Sequence, residues 1–131
     1  MGVSPWESQV RLVSPDGKHV AEIPEAREFV QGGPTSGELI LDGLPILKEC
    51  GVSLAWSDDA RFIAVPMWKI GWIGNGKGQK LIVLDIGTNT TIECGDKFRL
   101  IEVQRFEDGV VAGVDSPAHK PRPFTWRVPL Q

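Results

Sequence analysis

Few residues in this chain have the type and spacing that chemistry needs. Two acidic pairs, Asp58-Asp59 and Glu107-Asp108, offer a general acid and base, or oxygen ligands for a calcium ion. Tight turns use the same residues, because an aspartate there bonds nearby backbone amides and tolerates left-handed geometry. Both pairs fall where hairpins need turns, so they read as structural. His19 and His119 lie far apart, with no acidic or cysteine spacing around them that suits a metal. Cys50 and Cys94 close equivalent strands, which would suit a redox or metal pair, but two buried free thiols satisfy the composition better. A serine nucleophile would need an elbow turn, and no Gly-x-Ser-x-Gly occurs. Gly71-Trp72-Ile73-Gly74-Asn75-Gly76-Lys77-Gly78 has the glycines of a phosphate loop without its Gly-Lys-Ser/Thr ending or a following helix. No catalytic residues, no metal and no cofactor are expected, and the chain reads as a non-enzyme.

What those glycines carry is more informative. Trp68, Ile70, Trp72 and Ile73 sit in or beside a segment where an isolated protein would place polar residues. One or two of them could close the rim of the core. Alternatively, tryptophan on a flexible support is what interface hot spots use. Lys69 and Lys77 flank the patch and would steer an acidic partner. The expected binding loop is therefore Trp68, Lys69, Ile70, Trp72, Ile73 and Lys77.

Composition limits the partner. Seventeen acidic residues against 14 basic ones leave a net charge of −3, and the basic residues form no cluster in the sequence. No nucleic-acid partner is expected, since affinity for phosphate backbones comes from clustered Lys and Arg. The start, Met1-Gly2-Val3-Ser4-Pro5-Trp6-Glu7, has no basic region before an apolar run, and Trp6 breaks a myristoylation motif. No apolar run is long enough to span a membrane. A cytoplasmic protein with no membrane contact is expected.

Fifteen glycines and ten prolines in 131 residues punctuate the chain too often for helices. Alternating runs flank turn signals instead. Val10–Val13 and Lys18–Ile23 lie around Ser14-Pro15-Asp16-Gly17, and Glu38–Leu41 and Leu44–Cys50 lie around Asp42-Gly43. Val52–Trp56 and Arg61–Met67 lie around Ser57-Asp58-Asp59-Ala60, and Gln79–Ile86 and Thr90–Cys94 around Gly87-Thr88-Asn89. Phe98–Phe106 and Val110–Val114 lie around Glu107-Asp108-Gly109, and Phe124–Leu130 is a last strand. Pro45 marks an edge or irregular position. Residues 25–30 fit either a helical turn or an extended stretch, 31–37 read as a loop, and so does Trp68–Gly78. Trp56 falls at a core-forming position.

These turns repeat. Ser14-Pro15-Asp16-Gly17-Lys18-His19-Val20-Ala21 lies over Ser57-Asp58-Asp59-Ala60-Arg61-Phe62-Ile63-Ala64 at an offset of 43, and Leu39-Ile40-Leu41-Asp42 over Ile82-Val83-Leu84-Asp85 at the same offset. A weaker third copy begins at Phe106. The repeat-like units are approximately 8–50, 51–95 and 96–131 within one β domain. Leu54-Ala55-Trp56-Ser57-Asp58-Asp59-Ala60-Arg61-Phe62-Ile63-Ala64 resembles the Trp-Ser-Pro-Asp-Gly hairpin of TolB-like and WD40-like β-propeller blades, and Ser14–Lys18 resembles it too. The resemblance implies blade-like units of four strands and is silent on chemistry. Propellers close with about 4–8 blades, whereas about two and a half units fit here. The expected fold is therefore all-β, antiparallel hairpins in open or sandwich-like packing, or units completed by dimerisation. The expected function is binding of another protein, itself included as a homodimer, in an inhibitor or toxin-immunity type of role. Two rivals are a carbohydrate or small-molecule binder stacking Trp56, Trp68 and Trp72 on its ligand, and an enzyme whose site of Asp58, Asp59 or Glu107 forms only between two copies.

Overall fold

Twelve strands and no helix make up the described residues of the computed structural model, which are 2–28, 31–73 and 76–130. The strands are β1 (Val10–Val13), β2 (Val20–Ile23), β3 (Ala26–Glu28), β4 (Thr35–Leu41), β5 (Leu44–Cys50), β6 (Ala55–Trp56), β7 (Phe62–Ile73), β8 (Gly76–Asp85), β9 (Thr90–Glu93), β10 (Ile101–Glu107), β11 (Val110–Asp115) and β12 (Arg122–Arg127). Nine of them form one curled, half-barrel-like sheet in the order β1-β2-β4-β5-β7-β8-β9, with β3 beside β4 and β6 beside β7. The remaining three form a second sheet, β10-β11-β12. All pairings are antiparallel. The fold is all-β with open packing, as the alternation and turns imply.

The large sheet has a weak joint. β5 meets β7 through the single pair Cys50↔Met67. Up to Cys50 the chain forms one meander; β6 to β9 form another; β10 to β12 form a third. The joint also explains Pro45. Its part of β5 pairs only with β4, so the missing amide leaves no ladder position empty on the far side.

The middle meander is buried on both faces. Ile63, Val65, Ile82 and Leu84 pack with Val10, Ile23, Leu39 and Val52 on the side of the first meander. Phe62, Ala64, Leu81 and Val83 point the other way, against Ile101, Val103, Phe106 and Val111 of the second sheet. This sandwiching is why Phe62-Ile63-Ala64-Val65 and Leu81-Ile82-Val83-Leu84 read as unbroken apolar runs: a strand covered on both faces has no polar side to show.

Polar groups of the middle unit tie both outer units to it. The Trp56 and Trp68 indoles donate to the carbonyls of Leu12 and Thr35, at 2.9 and 3.2 Å. Toward the second sheet, Gln79 Oε1 accepts from the Ile101 amide at 2.6 Å and Ser53 Oγ from the Val103 amide at 2.9 Å. Trp56 is half-buried, not enclosed, because it lies at the rim of the first core with its ring stacked at 6.2 Å on His19.

The repeated turns are superposable bond for bond. Ser14 Oγ donates to Asp16 and accepts from the His19 amide, and Ser57 Oγ donates to Asp59 and accepts from the Phe62 amide. Asp16 and Asp59 accept from the amides of Lys18 and Arg61. Both turns need a left-handed residue, which is Gly17 at φ 74° in one and Ala60 at φ 62° in the other.

Two stretches differ from the sequence reading, and a third takes the extended one of its two alternatives. Residues 26–28 are extended, as β3 (29–30 lie outside the described residues). Thr35–Gly37 belong to β4 instead of a loop, because Gly37 lets β3 and β2 approach: a Cβ there would meet Ile23 Cγ2 at 2.5 Å. The segment from Trp68 to Gly78 is not a loop but the far half of the β7–β8 hairpin, described below.

Candidate functional site

The β7–β8 hairpin begins at Phe62↔Asp85 and holds register to Ile70↔Lys77, then shifts to Ile73↔Gly76. Its glycines do not loosen it along most of this length. Gly78 lies opposite Lys69 and is buried within the paired strand. Gly71, at φ 73°, falls where the register shifts, a backbone conformation that side-chain-bearing residues avoid. Gly71 therefore marks a bulge in a paired hairpin.

Burial changes abruptly along this hairpin. Trp68 is 8% exposed, with its indole N–H bonded to the Thr35 carbonyl. Ile70 lies on the same strand face about 7 Å further out, yet it is 81% exposed. The body of the protein ends between them. Lys69, Gly71, Gly76 and Lys77 are exposed around Ile70. Of the six residues expected to bind, Lys69, Ile70 and Lys77 thus form an exposed surface. Trp68 is instead a core anchor, as an amphipathic ring is when its polar edge finds a carbonyl inside. The side chains of Trp72 and Ile73 lie outside the described residues.

Asp58, Asp59 and His19 are engaged in structure. Asp58 accepts from the Asp108 amide at 3.1 Å, so the two acidic turns touch. The Asp59 carboxylate is occupied by its own turn. His19 Nδ1 lies 2.7 Å from Asp42 Oδ2, and this bond, with the Val20 amide, holds the Asp42 carboxyl below its ordinary range. Asp16 is lowered first by the Ser14 hydroxyl and then by the Lys18 amide. For Asp85, burial pushes the carboxyl up. Arg61 at 3.0 Å and the amides of Gly87 and Thr88 outweigh it, and the net direction is down.

The cysteines lie in different cores, Cys50 on the first-meander side and Cys94 on the second-sheet side, both as free thiols. Burial raises both and pushes Cys50 up to about 12.

No known protein family, no curated protein and no solved structure matches this chain. What it presents to a partner must be read from its own surface. Among the described residues, the exposed large apolar side chains are Trp6, Val13, Leu44 and Ile70, and Ile70 is the most exposed of the four. Asp115, which the sequence reading passed over, bonds groups far from it in the chain; its only sequence signal is a carboxylate ending an otherwise apolar strand.

Proposed function

We propose that this chain is a small, non-enzymatic, cytoplasmic protein-binding domain that engages its partner with the far half of the β7–β8 hairpin. The observation that carries the reading is Ile70, 81% exposed on a paired strand whose previous same-face residue, Trp68, is buried. A branched apolar side chain on a rigid, projecting support loses little entropy on binding, which suits a hot spot. Lys69 and Lys77 at its sides favour an acidic partner surface. An inhibitor or toxin-immunity role fits a domain that offers a surface and no reactive group. No helix among the described residues is long and apolar enough to cross a membrane, which agrees with this reading. We further propose that the three meanders are blade-like repeats of the TolB or WD40 kind; the bond-for-bond identity of the turns at Ser14 and Ser57 supports it.

The test is Ile70→Asp, compared with the parent in sedimentation and in quantitative capture from a cell extract. Self-association or partner capture is expected to weaken by about 2 kcal/mol or more, with the thermal midpoint nearly unchanged. Equal association by both proteins would remove the hairpin from the interface.

A further inference from the structure

A second surface lies on the opposite kind of chemistry. Arg99, Ser116, His119, Lys120 and Arg122 line one concavity of about 470 Å³, and no carboxylate shares its lining. In a chain of net charge −3, such a gathering of cations is against composition. It is also invisible in the sequence, where Arg99 stands well apart from the segment 116–122.

The concavity is built, not incidental. Beneath it lies Asp115, 3% exposed. Its Oδ1 accepts from the amides of Arg99 and Leu100, at 3.0 and 3.2 Å, and from Ser116 Oγ at 3.2 Å. Its Oδ2 bonds the Arg122 guanidinium at 3.2 Å. One buried carboxylate therefore fixes the three chain segments that form the walls. The loop between β11 and β12 is set by Pro117 and Pro121 and by left-handed turns at Ser116 (φ 57°) and Lys120 (φ 52°). The Ser116 amide bonds the Leu100 carbonyl, and the His119 amide closes back on Ser116. Asp115 thus fixes the backbone that carries Arg99 and the guanidinium of Arg122, and with Lys120 three positively charged side chains border the hollow. Arg122 is paired on one side only, and its side chain is 73% exposed, leaving donors for a ligand.

We propose that this concavity binds a soluble polyanion carrying phosphate groups. Its volume is that of a small-molecule site, but its walls are cationic and hydrogen-bonding where such sites are usually apolar. Arginine forks and a lysine point charge are the groups that recognise phosphate oxygens. The proposal is independent of the hairpin surface.

The probe is inorganic pyrophosphate, titrated at low salt into the isotopically labelled protein while backbone amide shifts are followed. Saturable shifts confined to residues 99–100 and 116–122 are expected. The double variant Arg99→Gln/Lys120→Gln leaves Asp115 and Arg122 in place and should keep its melting curve, yet weaken binding about tenfold or more. Arg11→Gln, on β1, should bind as the parent does. Shifts that never saturate, that scatter over distant basic residues, or that persist unchanged in the double variant would overturn the proposal. So would co-sedimentation with phosphoinositide vesicles at a matched phosphate concentration without pyrophosphate binding, which would make the anion a lipid headgroup.

Discussion

The two halves of the β7–β8 hairpin share one ladder and have opposite surroundings. From Ile63 to Pro66, with Leu81 to Leu84 opposite, every residue is buried. Past Trp68 the same two strands continue without cover, and Ile70 stands in solvent. Backbone pairing keeps one register from Phe62 to Ile70, so across the border at Trp68 what differs is side-chain burial. The first half packs against both outer units. The second leaves Lys69, Ile70 and Lys77 exposed.

The largest effects should come from the enclosed half. Ile63→Ala removes packing on the first-meander side and Leu81→Ala on the second-sheet side. Each should lower stability by about 2–5 kcal/mol in urea unfolding. If only one of them does so, the middle unit is not equally shared by its neighbours. Trp68→Phe keeps most of the ring and loses the bond to the Thr35 carbonyl. A loss of about 1 kcal/mol in the same assay would place the border between the halves at Trp68.

Acid should attack the enclosed half and spare the free one. Asp85, opposite Phe62 at the base of the hairpin, has a folded carboxyl below its unfolded value, as do Asp16 and Asp42. A lowered value means the folded state holds its proton less tightly. The stability these groups contribute is complete above about pH 4 and is lost as pH falls through their folded values. Asp85→Asn should therefore be less stable than the parent at neutral pH, and the gap should narrow in melting curves taken at successively lower pH. A gap that stays constant would mean that the carboxylate charge at Asp85 is immaterial.

Smaller effects belong to the turns and the tip. Nothing surrounds a Cβ placed at Gly17, so Gly17→Ala isolates the left-handed backbone cost, about 1 kcal/mol in thermal melts. The equivalent Ala60 already bears that cost, and Ala60→Gly should be neutral or slightly stabilising. The smallest change is expected for Ile70→Ser, within about 0.5 kcal/mol of the parent. A larger loss would show that the free half also supports the fold.

Local turn chemistry was plain in the residues. Asp42-Gly43 and Asp108-Gly109 form tight turns with positive φ at both positions, as their dipeptides imply. The repeat at Ser14 and Ser57 was equally readable, because each serine and aspartate acts within five residues. The Trp68–Gly78 segment was misread because glycine signals flexibility locally, whereas here a cross-strand partner decides its conformation. Nothing in the sequence separates Trp68 from Ile70, since both are apolar on one strand face. The border between them is set by Thr35, which is remote in the chain. The ring of groups around Asp115 was hidden for the same reason: its amide donors lie some fifteen residues upstream.

The single pair joining β5 to β7 also has a consequence for motion. With one bridge at Cys50↔Met67, the first meander can peel away by giving up side-chain contacts and almost no ladder. The second sheet meets the middle unit through apolar packing, side-chain bonds, the bridge Gln79↔Phe98 and one backbone bond from the Asp58 amide to the Phe106 carbonyl, with no continuous ladder. Each outer unit is then a separate opening unit, and the amides of Ile63 to Val65 and Leu81 to Val83 become accessible to deuterium only when the middle unit itself opens. Hydrogen exchange should divide one pair of strands in two, slowest in their enclosed half and fast beyond Trp68, with the first meander and the second sheet exchanging at independent rates between these limits.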